Sequence, residues 1–313
     1  MAFDSTPWKR STAAFGRWLR GVNPTAHMLW QRRLKERDQS QRESAVAEAV
    51  MWDFLVSRTD EVCLVEIPGT GGVDFGFAVA GESFCVEVTN ISIEAATRAT
   101  GLQERPSVNG FHKLLTKSVR SQVRQKLQQV RTTQCPTLVA VTTLHSTASV
   151  ICISHPAIEK VMGSPPRITG NFNVTSGEVE GDLYQTTDLQ TSVFLSPHPI
   201  LGPDGEPIVQ AKFQPISGFL LCGFGVAPHH GQVLGGLNPE AKYPFDPRLL
   251  ADVPFCSFGT WPARDSINFE WTITKEELAR REQCAATRRL ESDPEFHGLA
   301  REIRAGLHGE SGP

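Results

Sequence analysis

Hydrophobic positions along the chain change period several times, and those changes predict its elements. From Gln39 to Ser57, Ala45, Val46, Ala49, Val50 and Phe54 recur at helical spacing. Ser40 followed three residues later by Glu43 has the form of a capping box, so a helix is predicted over 39–57. VCLVEI (62–67) predicts a strand. Asp74 opens a second apolar run (VDFGFAVA), Gly81-Glu82-Ser83 turns it, and FCVEVTN runs back as a third strand carrying Glu87.

Residues 92–110 have no clean period and are expected to be an irregular insertion. Phe111, Leu114, Leu115, Val119, Val123, Leu127 and Val130 form the apolar stripe of a second helix, over 111–130. Gln122, Lys126 and Gln129 share one of its faces, Lys126 lying at the edge of the stripe. PTLVAVTTL (136–144) predicts a buried strand, and ASVICIS (148–154) another. Residues 163–215, rich in Gly, Pro, Ser, Thr and Asn, predict loops with short strands. SGFLLCGFGV (217–226) reads as a buried strand, and 275–306 as two charged helices broken near Asp293-Pro294. The resulting order, α–β–β–β–α–β, predicts an α/β domain with a mixed sheet flanked by helices.

Composition narrows this picture. The 313 residues suffice for one elaborated domain or two smaller ones, and 40% hydrophobic content is that of a globular chain. No apolar run approaches the roughly 20 residues of a membrane span, so no membrane association is expected. MAFDSTPWKR lacks the apolar core of a secretory signal. The seven cysteines fall singly, without a CxxC or a Cys/His cluster, which predicts reduced thiols, a cytoplasmic setting and no structural zinc.

Charge is uneven although the net charge is only −3. Residues 1–38 carry eight Lys or Arg against three acids, and 111–131 carry six with no acid. The first segment also holds Trp8, Trp18 and Trp30. It reads either as an amphipathic arm packing its tryptophans on the body or as a nucleic-acid arm whose cations meet phosphate while its aromatics stack. The chain accordingly divides into a basic arm (1–38), a core (39–155) and a carboxy-terminal extension (156–313).

Candidate chemistry gathers in GGVDFGFAVAGESFCVEVTN (71–90). Asp74 and Glu87 fall on adjacent strands in apolar surroundings, where an unpaired charge is costly. Such a pair is either salt-bridged by Arg, Lys or backbone donors, or it holds a divalent cation. Glu43 and Glu48 on the first helix read as helix-start charge and solvated surface, or as further carboxylates of the same site. The turn at 68–72 is glycine-rich but lacks the Gly-Lys-Ser/Thr ending of a phosphate loop. His229-His230 falls in a Pro/Gly loop and reads as surface, and no Gly-x-Ser-x-Gly elbow exists.

A helix with Glu, a hairpin with Asp then Glu-x-x, and a helix with Lys-x-x-Gln before a strand resembles the PD-(D/E)XK nuclease superfamily, with its restriction-endonuclease-like fold. The resemblance covers about residues 40–154. It implies that Asp74 and Glu87 bind Mg²⁺ or Mn²⁺, with the Val88 carbonyl as a further ligand and Glu43 or Glu48 completing the site. It implies a metal-dependent nuclease acting on DNA, with RNA left open, in prokaryotic defence or DNA processing.

The chain departs from the pattern at Val73, where the family has proline, and at Thr89, which occupies the lysine position. A threonine hydroxyl orients water but carries no charge. The resemblance offers Lys126 as a lysine supplied from the second helix, with Gln122, Gln129, Arg124 and Lys117 as nucleic-acid contacts. The alternative is a catalytically inactive or partner-activated nuclease-fold subunit that binds nucleic acid or assembles a complex. In either case the carboxy-terminal half is a candidate surface for a homodimer or protein partner.

Overall fold

The computed structural model describes residues 4–65, 73–102, 115–163, 167–172, 179–186, 189, 192–225, 232–263 and 267–291. The predicted glycine-rich turn at 68–72, the first residues of the predicted 111–130 helix, His229-His230 and the last predicted helix lie outside them.

The chain begins with a single 3₁₀ turn (Thr6–Trp8), then α1 (Lys9–Val22), α2 (Pro24–Leu34) and α3 (Gln39–Val56). Strands β1 (Glu61–Leu64), β2 (Phe75–Val79) and β3 (Glu82–Ile91) follow, then α4 (Ile93–Thr100), α5 (Thr116–Val130) and β4 (Thr137–Thr143). Next come α6 (Ala148–Ile151), α7 (His155–Gly163), β5 (Arg167–Phe172), β6 (Val179–Thr186), β7 (Ile200–Leu201) and β8 (Pro207–Ile208). The described chain closes with β9 (Gly218–Gly223), β10 (Gln232–Leu237), β11 (Phe255–Phe258), β12 (Phe269–Trp271) and α8 (Lys275–Glu291).

Eight strands form one mixed sheet in the order β1-β2-β3-β4-β9-β10-β11-β12. β1 to β3 form an antiparallel meander, and β3, β4 and β9 run parallel. The neighbour of β4 is β9, so segments 39–155 and 156–313 share one sheet.

Period-2 alternation sorts the sheet's side chains between two layers. Val86, Val88, Leu138, Ala140, Leu220 and Cys222 face α1 and α3, where Phe15, Val46, Val50 and Leu55 complete a core. Cys85, Val139, Val141, Phe219 and Leu221 face the layer of α5, α6 and α7. Trp8 and Trp30 are buried in the first layer, their indole N–H groups donating to Phe224 O and Ala45 O at 2.8 and 2.9 Å. Trp18 stacks on Phe15. Packing against the body, rather than stacking on a nucleic acid, accounts for these aromatics.

Local structure differs from the sequence pattern in four places. The hairpin turns at Ala80-Gly81, both at positive φ (51° and 84°), one residue earlier than predicted, and Val79 pairs with Glu82. Helix α3 is capped by Asp38, which accepts the Ser40 N–H, so Ser40 and Glu43 form no capping box. The predicted insertion at 92–110 contains α4, capped by the Ser92 hydroxyl and ended by Gly101 at φ 76°. The predicted strand at 148–154 is α6 and the approach to α7, because a short apolar run carries no period that separates a buried helix from a strand.

Helix α6 lies so close to β9 that a Cβ on Gly223 would stand 2.1 Å from Ser149 O. Neither backbone can yield without moving the sheet. Gly223→Ala is therefore expected to lower the unfolding free energy by about 2 kcal/mol, read from urea denaturation midpoints; an unchanged midpoint would contradict this packing.

Candidate active site

A cleft of about 560 Å³ opens at the β2–β3 end of the sheet. Asp74, Glu87 and Val88 form its base, Lys126 and Gln129 enter from α5, and Glu48 enters from α3. Phe15, Leu19, Ala26, Leu29 and Trp30 build an apolar wall from α1 and α2, with Arg32 and Arg33 beside it.

Glu87 is 1% exposed, and its Oε1 accepts Lys126 Nζ at 2.6 Å. Two residues along β3, the Thr89 hydroxyl donates to Gln122 Oε1 at 2.6 Å. These bonds share one geometric cause. Two residues of strand advance about 6.6 Å and four residues of helix about 6 Å, so α5 lies along β3 with its side chains in step. Burial alone would depress the Lys126 pKa, but the charge and hydrogen bond of Glu87, with Asp74 and Glu48 nearby, raise it overall.

Asp74 precedes the first residue of β2, opposite Glu87, since Phe75 pairs with Val86. Its Oδ2 accepts the Val88 N–H at 2.6 Å. The N–H and C=O of one strand residue point to the same neighbour, so the Val88 carbonyl is directed to the Asp74 side. Burial first, then the charges of Glu87 and Glu48, push the Asp74 pKa well above the carboxylate range. The Val88 N–H and Lys126 offset this in part.

The two helix glutamates part company. Glu48 lines the cleft and is held by both guanidinium nitrogens of Arg33 at 2.6 and 2.5 Å. Glu43 is buried elsewhere, accepting the Ile93 N–H at 2.7 Å and Gln39 Nε2 at 2.7 Å, where it anchors the start of α4. It is neither solvated surface nor part of the cleft. Thr89 is nearly buried and committed to Gln122, so neither lines the cleft. Lys117 is exposed on α5, while Arg124 leans over the Phe213 ring, 5.6 Å from its centroid. Arg33 and the apolar wall went unrecognised in the sequence. The only hint was the basic N-terminal segment, and nothing in it tied Arg33 to a carboxylate fifteen residues on.

Among the described residues, no three His, Cys, Asp or Glu side chains form a ready metal cluster. The donors present suit a hard, hydrated cation, since Mg²⁺ is commonly held by one or two carboxylates while keeping its waters. Asp74, Glu87 and the Val88 carbonyl offer such a set, and a cation would relieve the cost that burial, then the neighbouring charges of Glu87 and Glu48, places on the Asp74 carboxylate. No family model matches the chain, and no curated protein or solved structure shows significant similarity to it.

Because the folded-state pKa of Asp74 is raised, its contribution to stability is intact below the unfolded value near 4 and is lost as pH rises through the folded value. Asp74→Asn, whose amide oxygen can still accept the Val88 N–H, should therefore stabilise the protein in EDTA at pH 8. The gain should vanish below about pH 4. Urea denaturation across pH checks this, and a destabilised variant at pH 8 would refute the electrostatic assignment.

Proposed function

We propose that this chain is a divalent-metal-dependent phosphodiesterase with a restriction-endonuclease-like core that cleaves DNA, in prokaryotic defence or DNA processing. The observation that carries this reading is the convergence of Glu48 from α3, Asp74 from the residue before β2, Glu87 from β3 and Lys126 from α5 in one cleft. Salt bridging alone would account for the Glu87–Lys126 contact, but not for Asp74, whose own partner is a backbone N–H. A cation held by Asp74, Glu87 and the Val88 carbonyl would supply a Lewis acid for the phosphate and a more acidic bound water.

The chain's own groups perform the remaining work. Lys126 stays protonated against Glu87 and on this reading would bring to a bound phosphate the positive charge that Thr89 lacks. Thr89 acts one step back, fixing Gln122 and with it the α5 register that delivers Lys126. Gln129 lines the cleft and can donate to a phosphate oxygen. Arg33 holds Glu48 until a cation or substrate competes for it.

A second reading draws on that same Arg33–Glu48 pair and the Glu87–Lys126 pair. Together they neutralise much of the cleft internally, as a catalytically silent or partner-activated nucleic-acid-binding subunit would require. The two readings separate in one assay. Linear, circular and single-stranded DNA are incubated with Mg²⁺ or Mn²⁺, with and without candidate partners. The enzyme reading expects cleavage that Asp74→Ala and Glu87→Ala abolish and that Lys126→Ala slows about 10²–10³-fold. Circular dichroism must show each variant folded, because removing Lys126 leaves Glu87 a buried charge at a cost of about 3–5 kcal/mol. No cleavage by the wild type under any condition, or undiminished cleavage in both carboxylate variants, would overturn the enzyme reading.

A further inference from the structure

Helix α5 carries cations on two flanks, and one of them reaches the cleft through Lys126. Gln122, Lys126 and Gln129 occupy the flank over β3. Arg120 and Arg124, one turn apart, occupy the other and face the loop that precedes β9. That loop contributes Lys212 and Phe213, and the Arg124 guanidinium carbon stands 5.6 Å from the centre of the Phe213 ring.

The loop is built to hold this arrangement. Phe213 adopts φ 59°, the left-handed region that a bulky residue enters only under constraint. The constraint is Asn238, nearly buried, whose amide nitrogen donates to the carbonyls of Lys212, Phe213 and Ile216 at 3.1, 3.1 and 2.9 Å. The ring is thereby fixed beside Arg124, where an aromatic face supports a guanidinium while leaving its edge for a ligand.

Three cations gather here. Among the described residues, Arg120, Arg124 and Lys212 make no ion pair, and Arg124 Nε is buried with no hydrogen-bond partner. Burial, followed by the charge of Arg120, lowers the Arg124 pKa. Burial, followed by the charges of Arg124 and Arg120, lowers that of Lys212. An enclosed guanidinium N–H without an acceptor is costly, and mutual repulsion adds to that cost. An anion would relieve both.

We propose that Arg120, Arg124, Lys212 and the Phe213 ring form a second phosphate-binding site, which anchors the backbone of a nucleic-acid strand outside the cleft. The choice of nucleic acid rests on the proposed nuclease function. The two flanks of α5 lie across one helix, whose diameter with side chains is about 10–12 Å. A strand crossing α5 can therefore place one phosphate at Lys126 and another at Arg124. Contacts of this kind position a strand without reading its sequence.

The test is fluorescence anisotropy of labelled single- and double-stranded DNA in EDTA over a salt series. Wild type is compared with the triple variant Arg120→Gln, Arg124→Gln, Lys212→Gln, and with Arg280→Gln, an exposed position of α8, as a charge control. The triple variant should bind at least about tenfold more weakly, with a log Kd against log salt slope shallower by about 2–3, and Arg280→Gln should match wild type. Its thermal midpoint should be unchanged or higher, because repelling charges have been removed. Wild-type affinity and slope in the triple variant, an equal loss in Arg280→Gln, or a midpoint that collapses together with affinity would overturn the site. The readout involves neither metal nor cleavage, so an absence of nuclease activity would refute the proposed function while leaving this result to stand or fall alone.

Discussion

The ion pair between Glu87 and Lys126 is the contact on which the rest of this arrangement depends. A carboxylate that is 1% exposed cannot remain charged without a cation, and Lys126 provides it at 2.6 Å. That demand fixes α5 against β3 to within a fraction of a turn. A shift by one residue would rotate Lys126 by about 100° and carry it off the cleft. The Thr89–Gln122 bond a turn away enforces the same register, and Val119, Val123 and Val130 bury the face between them. Polar contacts define the alignment here, and the apolar stripe holds it.

Around that pair, the surrounding layers have distinct tasks. The hairpin brings Asp74 opposite Glu87, and the Val88 N–H keeps its carboxylate turned inward. Helices α1 and α2 wall the cleft and supply Arg33 to Glu48. The carboxy-terminal half contributes β9 to the middle of the sheet, so the strands beneath α5 are supported on both sides. It also supplies the Phe213 loop, which carries α5's other charged flank.

Much of this was legible in the sequence because the strongest periodic signals are also the elements that bear the site. Helix 39–57, the 74–90 hairpin, the 136–144 strand and the Lys-x-x-Gln face of α5 all follow from spacing. Asp74 and Glu87 fall on adjacent strands as that spacing expects, while Lys126, which only the resemblance brought to them, meets Glu87 from α5. Other features depend on tertiary contacts. Glu43 and Glu48 look alike on α3, and only the fold shows that one accepts the first N–H of α4 while the other meets Arg33. Thr89 drew notice as the residue at a lysine position, yet its hydroxyl is committed to α5. The 148–154 run became helical because β9 and Gly223 admit a helix backbone there, which no local pattern records.

The central claim is that Asp74 and Glu87 form a cation site rather than a self-contained salt-bridge network. Electron paramagnetic resonance titration of Mn²⁺ against the wild type and Asp74→Asn tests it without relying on activity. The account predicts a saturable Mn²⁺ site in the wild type that Asp74→Asn loses while remaining folded. Equal Mn²⁺ binding by the two proteins, or none by the wild type, would contradict it.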